Sequence, residues 1–465
     1  TTIDYYPVIN SPITDYKTVQ QCLEYSESAT REVGQDYVIT SFDLGVCMKA
    51  FPLIWNNPIR YQKHIVMIGS FHTVCAYLKM LGKKMNGTGL DDIFIEAGLI
   101  TTGSLQGVLS GKNYSRSMLC HKTMLEALER LLTMEFLIST NRTKLLDTDL
   151  QKSILGDLLE MPSQTTMDAT KEESSVMSLV HAFMDFKESV RHGDLGKTAQ
   201  LWMSYTDHIW LILDVIRAVK YNDYALYCHS LFKMADLFFS FDGQNYARYL
   251  IYFAVFLANA DTTHPGARAL LEKGAFSVAR SLIPGNRCPV DKTIEETFMK
   301  HSKSHGGTGG CRAGLTGLEN DYKAYQRWVK TTHERAQFVE VMFSTADMLS
   351  ESRDGRKHKH LRPAEVKKGE RLVSRTVDAI KSFMNPFDIE DENKLYCLSS
   401  GAASPTAIEA DVLYAEQVGK EAKEKFIMER LVAKDGFFDP VKRMRLKTMG
   451  DNKKTLKYPP PRTRS

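Results

Sequence analysis

Two short runs of β-branched and aromatic residues lie near the start of the chain, "YVITSFDLGV" (Tyr37–Val46) and "KHIVMIGSF" (Lys63–Phe71). Both have strand length, and each leads into apolar positions spaced three and four apart, over Cys47–Trp55 and Thr73–Met85, which predicts a helix. Strand then helix, repeated, predicts a sheet flanked by helices. From Ser117 to about Ala260 the pattern is helical, with Leu125, Leu128, Leu132 and Phe136 on one face, and it continues in the same style over Leu201–Lys220 and Tyr224–Ala260. Within this block "MPSQTTMDATKEESS" (Met161–Ser175) is polar and reads as a loop. A strand-like run returns in "FSVARSLIPGNRCPVD", and amphipathic helices follow around Tyr322–Leu349 and Gly369–Met384, joined by the basic stretch "ESRDGRKHKHLRP". No repeat of solenoid length is visible. The expected class is α+β, predominantly helical. Its expected parts are an α/β core over 1–116, a helical insertion over 117–262, a return to the core over 263–345, C-terminal helices over 346–433 and a basic tail over 434–465.

Composition adds that most of the chain should fold: 465 residues with 43% hydrophobic and 25% charged positions lie in the globular range. The eight cysteines are scattered without a C-x-x-C pair, which excludes a zinc ribbon and argues against a disulfide framework. The opening "TTIDYYPVIN" has no basic and apolar leader, so the sequons at Asn86, Asn113 and Asn141 read as chance matches. The longest apolar segment, Tyr249–Ala260, has about twelve residues where a membrane span needs about twenty. A reduced, soluble protein of the nucleus or cytoplasm, not secreted and not in a membrane, is expected. The net charge is only +4, yet Lys434–Ser465 carries ten Lys and Arg against three Asp. Such an end is most simply a solvated, disordered tail, with a nucleic-acid contact or a nuclear-import signal as the functional alternative.

Several motifs fail on their spacing. "GVLSGKN" (Gly107–Asn113) is one residue short of a phosphate loop and ends in Asn where a magnesium-binding hydroxyl is needed. "HGGTGGCRAG" (His305–Gly314) breaks the dinucleotide pattern at Arg312, although backbone N–H groups beside Lys300, Lys303 and Arg312 could hold a phosphate. His358 and His360 sit among cations that would repel a metal. The adjacent pairs Cys120–His121 and Cys228–His229 point about 100° apart on a helix and read as core packing. Asp43 and His72 differ, because each follows a predicted strand at the edge where open α/β sheets place ligands. Either could also be a helix cap. In "PVDKTIEETFMK", Asp291 and Glu295 are four apart and share one helix face. There the plain alternative is that Asp291 is an N-cap and the glutamates favour the positive helix start.

The blocks "SFDLGVCMKA", "VMIGSFHTVCAYLKMLGKKMNGTGL", "SFDGQNYARYL", "GAFSVARS" and "PVDKTIEETFMKHSKSHGGTGG" resemble, in order, signatures of an uncharacterised transposon-associated, transposase-derived protein family of animal genomes. The resemblance runs from about residue 3 to 345, with "FDPVKRMRLKT" in the tail similar as well. It implies a ribonuclease-H-like core, interrupted by the helical insertion, in which carboxylates hold Mg2+ or Mn2+ for phosphodiester cleavage or strand transfer. Asp43 would be the central-strand carboxylate, Glu295 the helix-borne one, Asp291 a further metal ligand, and His72 would position phosphate or water. DNA is the implied partner, met by Lys300, Lys303, Arg312, Lys442, Arg443, Arg445 and Lys447, and a homo-oligomer is compatible with it. Relatives carry an Asp-bearing strand upstream of the point where this sequence opens, so an incomplete copy that binds DNA without cutting it is expected. The alternative is a non-catalytic helical scaffold for protein partners. Convergence of Asp43 and Glu295 to within roughly 8 Å is the geometric expectation of the first reading.

Overall fold

The structure, a computed structural model, describes residues 9, 11–142, 175–279, 284–296, 323, 362–442, 444 and 446–451. The described residues are predominantly helical, with two small two-stranded sheets among them. They fall into two compact units: Thr1–Tyr77 with Leu211–Arg362 and Val418–Met444, and Leu78–Trp210 with Pro363–Gln417 and Arg445–Ser465.

In the first unit, α1 (Tyr16–Glu32) precedes β1 (Val38–Phe42), α2 (Leu44–Asn56), β2 (His64–Ile68) and the start of α3 (Ser70–Lys84). The strands pair in parallel, Val38 opposite His64 through Phe42 opposite Ile68. Parallel pairing follows from the crossover helix between them. All five residues of β2 are buried, as its continuous apolar run requires. Asp43 ends the first strand and caps α2, its Oδ1 accepting the Val46 N–H at 3.0 Å. The same unit holds α8 (Tyr224–Ser240) and α9 (Gln244–Ala258), followed by the antiparallel pair β3 (Ser277–Ala279) and β4 (Arg287–Pro289), and the single turn α10 (Val290–Ile294). Strand structure therefore returns after the helices where the sequence predicts it.

The second unit contains α4 (Leu90–Glu96), α5 (Tyr114–Ser139), α6 (Ser175–His192), most of α7 (Gly196–Tyr221), α11 (Pro363–Phe383) and α12 (Thr406–Leu413); α13 (Ala415–Phe426) begins there. The periodic residues Leu125, Leu128, Leu132 and Phe136 are all buried. Each contributes about 1.5–3 kcal/mol by leaving water. Outside this core, Arg130 on α5 clasps the Glu370 carboxylate of α11 with two bonds of 2.6 and 2.7 Å. The helical stretch that periodicity marks as one block, 117–262, is divided between the units at Leu211. Among the described residues, no helix is long and apolar enough to cross a membrane.

Candidate functional site

The carboxyl ends of β1 and β2 both open onto a helix start, and the two starts are capped differently. Asp43 caps its own helix. At the second start the capping position is Gly69, whose N–H reaches back to the Phe42 carbonyl at 2.8 Å and which has no side chain to offer. Asp291, carried in by α10 from 220 residues away, takes over. Its Oδ1 accepts the Phe71 N–H at 3.2 Å, and its Oδ2 accepts the His72 N–H at 2.9 Å. The glycine is required, since a Cβ at Gly69 would overlap the Asp291 carboxylate. The expectation that Asp291 caps its own helix is thus corrected. Pro289 stands at that position without a side-chain bond, and the Asp291 side chain turns to the unsatisfied N–H groups of α3.

The same carboxylate orients the His72 ring, with Nδ1 at 3.0 Å from Asp291 Oδ2. On the other side of the ring, Nε2 lies 3.8 Å from Glu295 Oε1. The four-residue spacing of Asp291 and Glu295 therefore presents both to one imidazole. Asp291 is buried, whereas His72 and Glu295 are about one-third exposed at 34% and 32%. The hydrogen bond to Asp291 raises the His72 pKa above its ordinary value against the opposing effect of burial, and the charges of Asp291, Glu295 and Asp43 add to the rise. The three carboxylate candidates at this edge thus act on the ring of the fourth, His72. Beneath it, Tyr227 is hydrogen bonded to Ser70, and burial drives its hydroxyl pKa up. Burial likewise pushes the Cys75 thiol to about 12, so it is not a ready nucleophile.

The arrangement is an Asp–His dyad with Nε2 at a half-open surface. It can hold a proton near neutral pH and pass it to or from a group placed against Nε2. It does not fit the expected metal centre. Among the described residues, no three His, Cys, Asp or Glu side chains are placed to hold an ion. Both Asp291 oxygens accept backbone N–H groups and Asp43 Oδ1 accepts one from α2, which leaves these carboxylates less charge for an ion.

Of the residues expected to meet nucleic acid, Lys442 and Lys447 are exposed, and Lys447 donates its backbone N–H to Asp411. Lys300, Lys303, Arg312, Arg443 and Arg445 lie outside the described residues. Sequence reasoning missed Gly69, whose signal was a helix start lacking any capping side chain. It also missed a buried cluster in the second unit. Lys84 is fully buried and donates to Ser204 Oγ at 2.6 Å and to Glu416, with His208 Nε2 3.3 Å away. Its signal was a lysine at the apolar spacing set by Tyr77 and Leu81.

The family described as "Domain of unknown function (DUF8702)" matches residues 1–458. The chain belongs to this family. No curated protein and no solved structure matches it. As a DUF8702 member it carries Asp43, His72, Asp291 and Glu295 inside the matched span, so the dyad lies within the family domain.

Proposed function

We propose that this DUF8702 protein is a transposase-derived, DNA-binding protein whose ribonuclease-H-like site no longer cuts. The observation that carries the reading is the contact of the His72 ring with Asp291 and Glu295 beside the carboxyl end of a parallel strand pair, where the Asp43 charge also acts on the ring, with Glu295 about 250 positions after Asp43 in the sequence. That placement supports descent from a strand-end carboxylate and a helix-borne glutamate. The conversion of Asp43 and Asp291 into helix caps supports the loss of cleavage, and no cleavage step is assigned to them. In this reading the exposed Lys442 and Lys447 supply sequence-independent affinity for the phosphate backbone.

Fluorescence anisotropy with a short labelled duplex at low salt tests it, with and without magnesium or manganese, beside a supercoiled-plasmid nicking assay. Salt-sensitive binding that needs no divalent ion, and an intact plasmid, are expected. Nicking abolished by Glu295→Gln would overturn the loss of cleavage. Absence of binding would overturn the DNA reading and leave the scaffold reading. The latter is favoured by Ile138, Val180 and Met184, apolar side chains left in solvent on α5 and α6.

A further inference from the structure

At the other end of the strand pair, away from the dyad, β2 begins at His64, and a cavity of about 870 Å³ opens over the face that carries His64 and Val66. This lies within the usual range for small-molecule sites, roughly 300–1,000 Å³. Its walls are aromatic, contributed by Trp55 of α2, Phe256 of α9, and Tyr61 and Phe438 from loops. Trp55 and Phe438 stand 5.9 Å apart between ring centroids, and Phe438 remains 58% exposed. Phe438 rests on Trp55 and Phe437 and still offers exposed ring surface beside the cavity.

Three features make the cavity more than an apolar groove. His64 is only 3% exposed, yet neither of its ring nitrogens has a hydrogen-bond partner among the described residues. Burial pulls its pKa down to about 4, so at neutral pH the ring is uncharged and offers one donor and one acceptor. Both nitrogens are closed to solvent, and a turn of the ring toward the cavity that the residue lines would give them a partner there. Second, the charged residues of the lining are Arg430 and Lys434, both cations, with no carboxylate among the described lining residues. Arg430 is engaged by Asp439, while Lys434 is exposed at the rim. Third, Lys434 holds a left-handed backbone, φ 56°. A nearby helix end accounts for a cation there, but glycine would take that conformation without strain, and strained residues gather at ligand clamps.

We propose that this cavity binds a nucleotide, with the planar base among Trp55, Phe256 and Phe438, its polar edge on His64, and its phosphate on Lys434. Every nucleobase has a π face for the aromatics and a mixed donor–acceptor edge for a neutral imidazole. The base belongs to a free nucleotide or to an unpaired position in a single strand; the chemistry is the same. The proposal does not depend on the reading of the dyad, which shares no residue with the cavity.

Calorimetric titration of the full chain with adenosine monophosphate, adenosine, ribose phosphate and an oligothymidylate of about ten nucleotides tests it. Saturable adenosine monophosphate binding with Kd below about 1 mM is expected, with adenosine and ribose phosphate each weaker. Lys434→Glu, at an exposed position that does not threaten folding, should weaken the monophosphate about ten-fold and leave adenosine unchanged. His64→Leu should weaken both, and His64→Gln, which keeps a donor and an acceptor, should retain most of the affinity. Tighter binding of the oligothymidylate assigns the site to single strands, and equal or weaker binding assigns it to free nucleotides. No saturable binding of either probe, ribose phosphate binding as well as the monophosphate, or indifference to Lys434→Glu would overturn the proposal.

Discussion

One carboxylate at residue scale both starts a helix and sets a proton. Asp291→Asn removes the charge and turns an amide N–H toward a backbone N–H, leaving a buried donor unmatched. A loss of about 2 kcal/mol is expected by chemical denaturation. Gly69→Ala should cost about 1–3 kcal/mol by forcing the anchored carboxylate aside. His72 gives an independent readout. Because its folded pKa is raised, its contribution to stability is complete below the unfolded value of about 6.5 and is lost as pH rises through the folded value. NMR titration should place the His72 pKa above 6.5, and Asp291→Asn should lower it and flatten the stability change above neutral pH. Glu295→Gln should lower it by less, since Glu295 acts on the ring through charge at 3.8 Å. The sequence carried part of this site. Asp43 and His72 were legible because both follow strands, and the pairing of Asp291 with Glu295 because both fall on one helix face. That Asp291 serves a helix 220 residues away was not legible, since a cap supplied across the fold leaves no local spacing.

Among the elements, α3, α7 and α13 meet through a hydrogen-bonded cluster of Lys84, Ser204, His208 and Glu416 in the second unit. Burial alone would raise the Glu416 carboxyl pKa, but the Lys84 charge and the His208 hydrogen bond outweigh it and hold the pKa below its ordinary value. Burial, with the Lys84 charge, lowers His208. The depressed Glu416 contributes stability that is present above the unfolded pKa of about 4.3 and is lost as pH falls toward the folded value. Glu416→Gln leaves Lys84 buried without its counter-charge and should cost about 3–5 kcal/mol at pH 7. It should also flatten the acid limb of the stability profile. Joint replacement, Lys84→Met with Glu416→Leu, should recover most of the loss, because well-packed apolar groups need no counter-charge. A double variant as unstable as the single one would show that the four residues hold the helices through geometry and not through charge balance. The helices themselves were legible from periodicity. Their division between units at Leu211 was not, because α7 keeps the same apolar spacing on both sides of that residue.

For the molecule as a whole, the question is where DNA affinity resides. The basic end of the chain is not one uniform tail: Phe437 packs against Trp55 and Tyr249, and Met449 is fully buried. Removing everything from Lys434 onward would therefore strip side chains from both units and confuse unfolding with lost binding. Residues 452–465 lie outside the described residues and carry Lys453, Lys454, Lys457, Arg462 and Arg464 without an acidic residue. Each phosphate contact made by such a cation releases condensed counterions and adds about 0.9 to the slope of log affinity against log salt on duplex DNA. Truncation before Asn452 should thus lower the slope by up to about 4.5 and weaken binding most at low salt. Charge-neutral replacement of Lys442 and Lys447 in the truncated chain should lower it by about 2 more. If truncation leaves affinity and slope as they were while the double lysine variant abolishes binding, the contact surface lies on the folded units and the terminal cations are only solvated charge.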